Sequence, residues 1–345
     1  YEMQRSLVGS EMCIRDSRWV FHCTTGKGGE LMFFSKEITP SEKNGTSQNN
    51  GRPPVYLTGL NPLSLYLAAK FTAAGQRCII LNDSPACREL CASGLTVKED
   101  RLLQRQKYSL ESSFWIREAP EMIVITSAAA TLRSDLLHLS PSKIQNTPVV
   151  IFSVVEDYEF VKAFLKTPLI QGYFNGYLMQ EKSLLTILGR QCSVELVLSV
   201  DNPFYTRVTG AFQETGNEVK TSDNAAQAFW NNFIPQTVAS LLSASAQKNI
   251  YNLTKDEQER NLIDKCLHEL INLAAGEKIE VDYATLLKRI YNTPANYISP
   301  LQESLSRKQL GELGSLTSLL LQKAGNDDCK IPCLRGILKN IYTRL

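Results

Sequence analysis

At 345 residues the chain is long enough for two domains, each with its own core. A composition of 43% hydrophobic and 21% charged residues is that of an ordinary globular protein. A formal charge of +2 removes any electrostatic reason to expect nucleic acid or an anionic membrane surface as a partner, and no apolar run reaches the roughly 18 residues of a membrane span. Nine cysteines at irregular spacing fit a reducing compartment, so a soluble cytoplasmic protein is expected.

Residues 1–53 read as an artefactual or disordered lead-in. Tyr1–Ser17, above all Ser6-Leu7-Val8-Gly9-Ser10-Glu11-Met12-Cys13-Ile14-Arg15-Asp16, resembles a translated sequencing adapter and lacks the apolar core and cleavage site of a signal peptide. Met32 is the expected start. Gly26, Gly28 and Gly29 with Lys27 hint at a phosphate loop, but no strand is expected before them and no Gly-Lys-Ser/Thr follows. Residues 37–53 are polar and turn-rich, which predicts disorder.

The folded chain opens on Pro54-Val55-Tyr56-Leu57-Thr58, a buried strand, with Gly59-Leu60-Asn61-Pro62-Leu63-Ser64 as the turn and Leu65–Ala74 as an apolar helix. A second strand, Cys78-Ile79-Ile80-Leu81, ends at Asn82-Asp83. That order is what a G-x-G-x-x-G dinucleotide site needs: a tight turn, a helix N-terminus for the pyrophosphate and an acidic residue for the ribose. Only the first glycine is present. Asn61 stands at the second position, where a side chain crowds the pyrophosphate, and Ser64 at the third, where helix and strand pack closely.

Ala86–Ser93 predicts a short helix, Gly94-Leu95-Thr96-Val97 a strand end, Met122–Thr126 a strand, Leu132–Leu139 a helix and Pro148–Phe152 a strand. Short apolar strands separated by helices predict a parallel sheet. Ile170–Leu178 and Val194–Val200 read as its last strands, in an antiparallel pair, and Tyr205–Thr215 as a helix. From Ser222 onward only helical periodicity remains, over Asn224–Ala246, Lys255–Ala275, Tyr283–Tyr291, Gln302–Lys323 and Leu334–Arg344, with Thr254-x-x-Glu257 as a cap. The expected division is an α/β domain over 54–215 and a helical domain over 216–345, with a ligand cleft between them.

This succession resembles ketopantoate reductase (2-dehydropantoate 2-reductase) and its relatives, which join a Rossmann domain to an all-α domain of the 6-phosphogluconate dehydrogenase C-terminal type. The likeness is carried by Gly59, Gly75, Asp83 and Gly94-Leu95-Thr96-Val97. In the helical part it is carried by Phe229-Trp230, Glu269–Gly276, Ser299-Pro300-Leu301-Gln302-Glu303, Glu312-Leu313 and Ile331-Pro332. It implies NAD or NADP as cofactor, a small 2-oxo acid as substrate and a homodimer. It places Gly59, Asn61, Ser64 and Asp83 at the cofactor, Ser299, Gln236 and Ser240 at the substrate, and Asn232 and Glu312 in the catalytic positions, with Asn232 facing Ser299 and Glu312 across the cleft.

The departures from the family fall on the chemistry. Asn232 replaces the general-acid lysine two residues after Trp230, and Gln236 and Ser240 replace asparagines. Val154-Val155-Glu156 replaces a Gln-Asn-Gly, Ser127 a lysine, and Asp83 the arginine that pairs with an NADP 2′-phosphate; the nearest cations are Arg77 and Arg88. Reducing a ketone needs a group that stabilises or protonates the developing alkoxide, and an amide cannot give up a proton. The alternative is a non-catalytic relative that binds a metabolite or protein partner through the inherited cleft. Several single residues also have plainer readings. Asp83 is equally placed to cap the helix after it. Ser299 reads as an N-cap, Glu312 as a solvated helix-start carboxylate and Asn231-Asn232 as an exposed polar face. His138 and His268 have no partner at a matching spacing. Cys87/Cys91 and Cys329/Cys333 sit one helical turn apart without a completing His or Cys, so no metal is expected.

Overall fold

The computed structural model describes residues 22–25, 31–34, 51–100, 105–127, 129–139, 144–152, 155–165, 167–325 and 327–345. Tyr1–Asn44 and Gly45–Leu345 are separate units. In the first, β1 (His22–Thr25) and β2 (Leu31–Phe34) form an antiparallel hairpin with Cys23 opposite Phe33. A strand does precede Gly26, contrary to expectation, but the next element is β2 and not the helix that a phosphate loop opens. The other expectations for residues 1–50 lie outside the described residues, as does Val154.

The second unit begins with β3 (Val55–Thr58), α1 (Pro62–Ala73), β4 (Cys78–Leu81), α2 (Pro85–Ser93) and β5 (Leu95–Glu99). It continues through β6 (Arg105–Tyr108), β7 (Glu111–Ser113), β8 (Met122–Ile125), α3 (Ala129–Leu136), β9 (Val149–Ile151) and α4 (Val155–Leu165). Then come β10 (Leu169–Glu181), β11 (Leu184–Val197), α5 (Tyr205–Glu214) and β12 (Glu218–Ser222). β3, β4, β8 and β9 are buried from end to end, and alternate residues enter two different cores. Val55, Leu57, Ile80, Val124 and Val150 pack on one face; Tyr56, Ile79, Ile123, Ile125 and Ile151 pack on the other. A strand covered on both faces must be apolar throughout, which is why these segments read as unbroken hydrophobic runs.

β7, β4, β3, β8, β9 and β10 stand side by side in that order, every neighbouring pair parallel. Leaving aside the β5–β6 pair, they are the third, second, first, fourth, fifth and sixth strands along the chain. This is the Rossmann order, whose ligand crevice opens between the first and fourth strands, here β3 and β8. β10 and β11 form the expected antiparallel pair; β5 joins one end of β11 and β12 the other.

β6, β7, β12 and α4 have no counterpart among the expected elements. β6 (Arg-Gln-Lys-Tyr) and β12 (Glu-Val-Lys-Thr-Ser) are edge strands with largely exposed side chains, so neither alternation nor an apolar run marks them. β12 carries the sheet past residue 215 to Ser222.

Beyond β12 every described element is helical: α6 (Ala225–Ala246), α7 (Ile250–Leu253), α8 (Glu257–Gly276), α9 (Tyr283–Tyr291), α10 (Pro300–Ser306), α11 (Gly311–Ala324) and α12 (Pro332–Tyr342), with one 3-10 turn at Asp328–Lys330. They enclose a third core around the fully buried Trp230, whose indole N–H donates to Glu277 at 2.9 Å. Two expectations are corrected. The helix expected over 302–323 is two, α10 and α11, broken where Lys308 takes a φ of 56°. α8 is capped by Asp256, not Thr254: the Asp256 carboxylate accepts from the N–H groups of Gln258 and Glu259.

Candidate functional site

After β3 the chain turns at Gly59, in the crevice between β3 and β8. Gly59 has a φ of +85°, and a Cβ there would stand 2.9 Å from the Ser127 Cα and 3.2 Å from Thr126 Oγ1. Conformation and space both require glycine. Hydrogen bonds lace the same crevice. The Thr58 and Ser127 hydroxyls lie 2.9 Å apart, Thr126 Oγ1 donates to the Thr58 carbonyl at 2.7 Å, and Asn61 Nδ2 donates to the Thr126 carbonyl.

α1 carries its own cap. Asn61 Oδ1 accepts from the Ser64 N–H at 3.0 Å, and Ser64 Oγ accepts from the Asn61 N–H at 3.0 Å, a reciprocal capping box. Pro62, the first residue of the helix, has no N–H to offer. Asn61 and Ser64 therefore meet, as their cofactor assignment requires, but they are bonded to each other.

Asp83 is exposed just beyond β4. The capping alternative for it is removed, because Ser84 caps α2 by accepting from the Cys87 N–H. Arg77 is held by Glu111 at 2.8 Å and Glu118 at 2.5 Å.

Asn232 is buried on α6, not on an exposed polar face. Its Nδ2 donates to Glu195 Oε2 at 2.7 Å and to the Ala228 carbonyl at 2.8 Å, while its Oδ1 accepts from Arg289 Nη2 at 3.2 Å. The amide thus lies between a carboxylate and a guanidinium. Arg289 is there for a local reason. Pro235 sits inside α6 and has no N–H, so the Asn231 carbonyl four residues earlier lacks its helical partner. Arg289 Nη1 donates to that carbonyl at 2.5 Å, and Nη2 also donates to Asn175 Oδ1. Asn175 lies where the β10–β11 register slips, a bulge of the kind that re-aims a side chain. No motif or spacing marks Glu195 or Arg289; Pro235 within a helical pattern is the one signal that pointed to an open carbonyl.

The other assigned residues lie elsewhere. Ser299 forms a reciprocal capping box with Gln302 at the start of α10, the plainer of its two readings. Glu312 accepts from Ser304 Oγ at 3.0 Å, and burial followed by the nearby Glu303 pushes its carboxyl up, so it is not a solvated helix-start carboxylate. Gln236 is exposed and Ser240 half-buried, on the same stripe of α6 as Asn232. None of the hydrogen bonds of Asn232 reaches Ser299 or Glu312. Nearby, Tyr297 packs edge-to-face on Tyr177 at 4.8 Å, and the Tyr177 hydroxyl donates to the Arg289 carbonyl at 3.4 Å.

His268 does have a partner, its Nδ1 lying 3.5 Å from Asp264. Cys333 meets Cys266, their sulfurs 3.6 Å apart, in place of Cys329. Among the described residues no group of three His, Cys, Asp or Glu side chains is arranged to hold a metal ion, and no helix is long and apolar enough to cross a membrane.

No family model and no curated protein sequence matches the chain. Solved structures do. A PanE/ApbA family ketopantoate reductase from Ralstonia eutropha JMP134 superimposes with a TM-score of 0.71 at 17% identity, covering 84% of this chain and 97% of that one. D-mandelate dehydrogenase in a ternary structure with NADH and anilino(oxo)acetate gives 0.72 at 14% identity, over 84% of this chain and 97% of that one. A dimeric ketopantoate reductase from Staphylococcus aureus gives 0.66 at 12% identity, over 84% and 98%. What is shared across these distances is the architecture: this chain has the fold of the ketopantoate reductases, a Rossmann-like parallel sheet followed by an all-α part.

Proposed function

We propose that the chain is a diverged member of the ketopantoate reductase family, an NAD(P)-dependent oxidoreductase for a small 2-oxo acid or related carbonyl whose ketone-reducing site is degraded. The observation that carries this reading is the Rossmann strand order, with a positive-φ glycine at the switch point, continued by the helical part in the same chain order as in the structural neighbours. A homodimer belongs to the same proposal, since one neighbour is dimeric.

A dinucleotide fits this chain at one end only. Asp83 lies exposed beyond β4, where a carboxylate accepts hydrogen bonds from a ribose diol and repels a 2′-phosphate. The pyrophosphate end fits poorly: of the first N–H groups of α1, that of Ser64 is taken by the Asn61 side chain and Pro62 has none. At the reacting end, Asn232 can donate a hydrogen bond to a carbonyl but cannot supply a proton, and its donor already serves Glu195. The same cap favours the second reading, a non-catalytic binder of a metabolite or protein partner.

Calorimetric titration with NADH and NADPH, paired with turnover of ketopantoate, separates the two. The oxidoreductase reading expects dinucleotide affinity on the order of millimolar and turnover about 10²–10⁴-fold below that of an enzyme with its general acid. Absence of any binding at millimolar concentration ends that reading in favour of the binder. With Arg77 committed to two glutamates, NADPH binding tenfold or more tighter than NADH overturns the role given to Asp83.

A further inference from the structure

A cavity of about 540 Å³ opens between strands β11 and β12 and helices α6 and α9. No residue assigned above to catalysis, substrate or cofactor lines it. Five charged residues line it: Lys220, Glu280 and Asp282 are exposed, and Arg289 from α9 and Glu195 from β11 are the two that are half-buried. The Arg289 guanidinium gives its hydrogen bonds to neutral oxygens, those of Asn231, Asn175 and Asn232. Glu195 accepts from the Asn232 amide. Among the described residues neither is in an ion pair. Burial lowers the Arg289 pKa, and Tyr177 and Glu195 oppose that shift.

Asn232 bonds to both half-buried charges and holds them one amide apart, without a direct ion pair, so that one small molecule can touch both. A bare carboxylate placed on Arg289 meets the charge of Glu195, and a bare amine on Glu195 meets that of Arg289. A molecule carrying both groups on neighbouring atoms satisfies both, through charge-assisted hydrogen bonds that are worth most at desolvated sites. Apart from Leu286 the lining is polar, with Ser193 on the same strand as Glu195 and Asn175 accepting from Arg289. Of the exposed charges, Lys220 is drawn to Glu218 at 3.3 Å, Asp282 caps α9 by accepting from Thr285, and Glu280 adds a further carboxylate. We infer that this cavity is a binding site for a small zwitterion, an α-amino acid or a molecule of like charge pattern, with its carboxylate on Arg289 and its ammonium on Glu195. The site needs no bound dinucleotide, and it adjoins the proposed reacting end through Asn232, which bonds both of its half-buried charges.

The test is calorimetry and thermal melting of the intact chain with three probes: L-glutamine, pyruvate and n-propylamine. Glutamine is expected to bind saturably and raise the melting temperature, with pyruvate and propylamine at least about tenfold weaker. Arg289→Gln is expected to weaken glutamine by about tenfold or more. Glu195→Gln is expected to weaken glutamine while strengthening pyruvate, a reversal that a merely structural loss does not produce. Because Arg289 also ties α9 to α6, Ser193→Leu supplies a variant that fills the cavity and leaves both charges in place; it should abolish binding. No saturable glutamine binding by the intact chain at millimolar concentration overturns the inference. So does equal binding of pyruvate or propylamine, or undiminished glutamine binding in the folded variants.

Discussion

Gly59→Ala is expected to cost about 3 kcal/mol or more and to lower the melting temperature by roughly 5–10 °C. Two effects add. A non-glycine residue at a φ of +85° is strained by about 1–2 kcal/mol. The new methyl also meets backbone, the Ser127 Cα at 2.9 Å and the Ser127 N at 3.0 Å, so β3 and β8 must separate at their carboxyl ends. Those strands are the centre of the sheet, with partners on both sides. Gly216→Ala is the control. Gly216 has a φ of +77° but no atom within 4 Å of its added Cβ, so only the conformational strain applies there. Equal losses in the two variants, read by thermal or urea denaturation, show that the close approach at Gly59 is not what demands glycine.

Asn232→Leu is expected to cost about 3 kcal/mol, although the two side chains share the same number and branching of heavy atoms. The change takes a donor from Glu195 at 2.7 Å and an acceptor from Arg289 at 3.2 Å, leaving both charges with a bond unmade. Asn232→Lys probes the chemistry. Its ammonium comes within reach of Glu195, and an opposite charge favours the protonated form, while Arg289 opposes it. The expected balance is a smaller stability loss than in Asn232→Leu, with ketopantoate reduction raised above that of the unaltered chain at saturating dinucleotide. A folded Asn232→Lys that binds dinucleotide and shows no gain removes Asn232 from the place of the general acid. An Asn232→Leu that melts with the unaltered chain shows that its amide holds neither charge.

The fold was legible wherever burial leaves a pattern in the sequence. β3, β4, β8 and β9 are covered on both faces and so are continuously apolar, and the helices around Trp230 repeat their apolar positions at helical spacing. Edge strands escape such a reading, because β6 and β12 keep polar side chains exposed and are held by backbone pairing that the sequence does not display. The site was legible by position and not by partner. Asn61, Ser64 and Ser299 were assigned by register, and each is bonded within its own first helical turn. Asn232 was found in the same way. Its neighbours Glu195 and Arg289 lie 37 and 57 residues away along the chain, on elements whose juxtaposition depends on the packing of β11, α6 and α9.

The most direct test is the NADH affinity of Asn61→Gly against that of the unaltered chain, by calorimetry. Glycine at an N-cap costs only a few tenths of a kcal/mol, so the variant should fold. It frees the Ser64 N–H, removes the side chain from the turn and breaks the bond from Asn61 to the Thr126 carbonyl. If the chain's own cap is what closes the pyrophosphate end of a preserved Rossmann crevice, NADH should bind the variant about tenfold tighter or more, at about 1.4 kcal/mol per tenfold. Equal or weaker binding by a folded Asn61→Gly contradicts it.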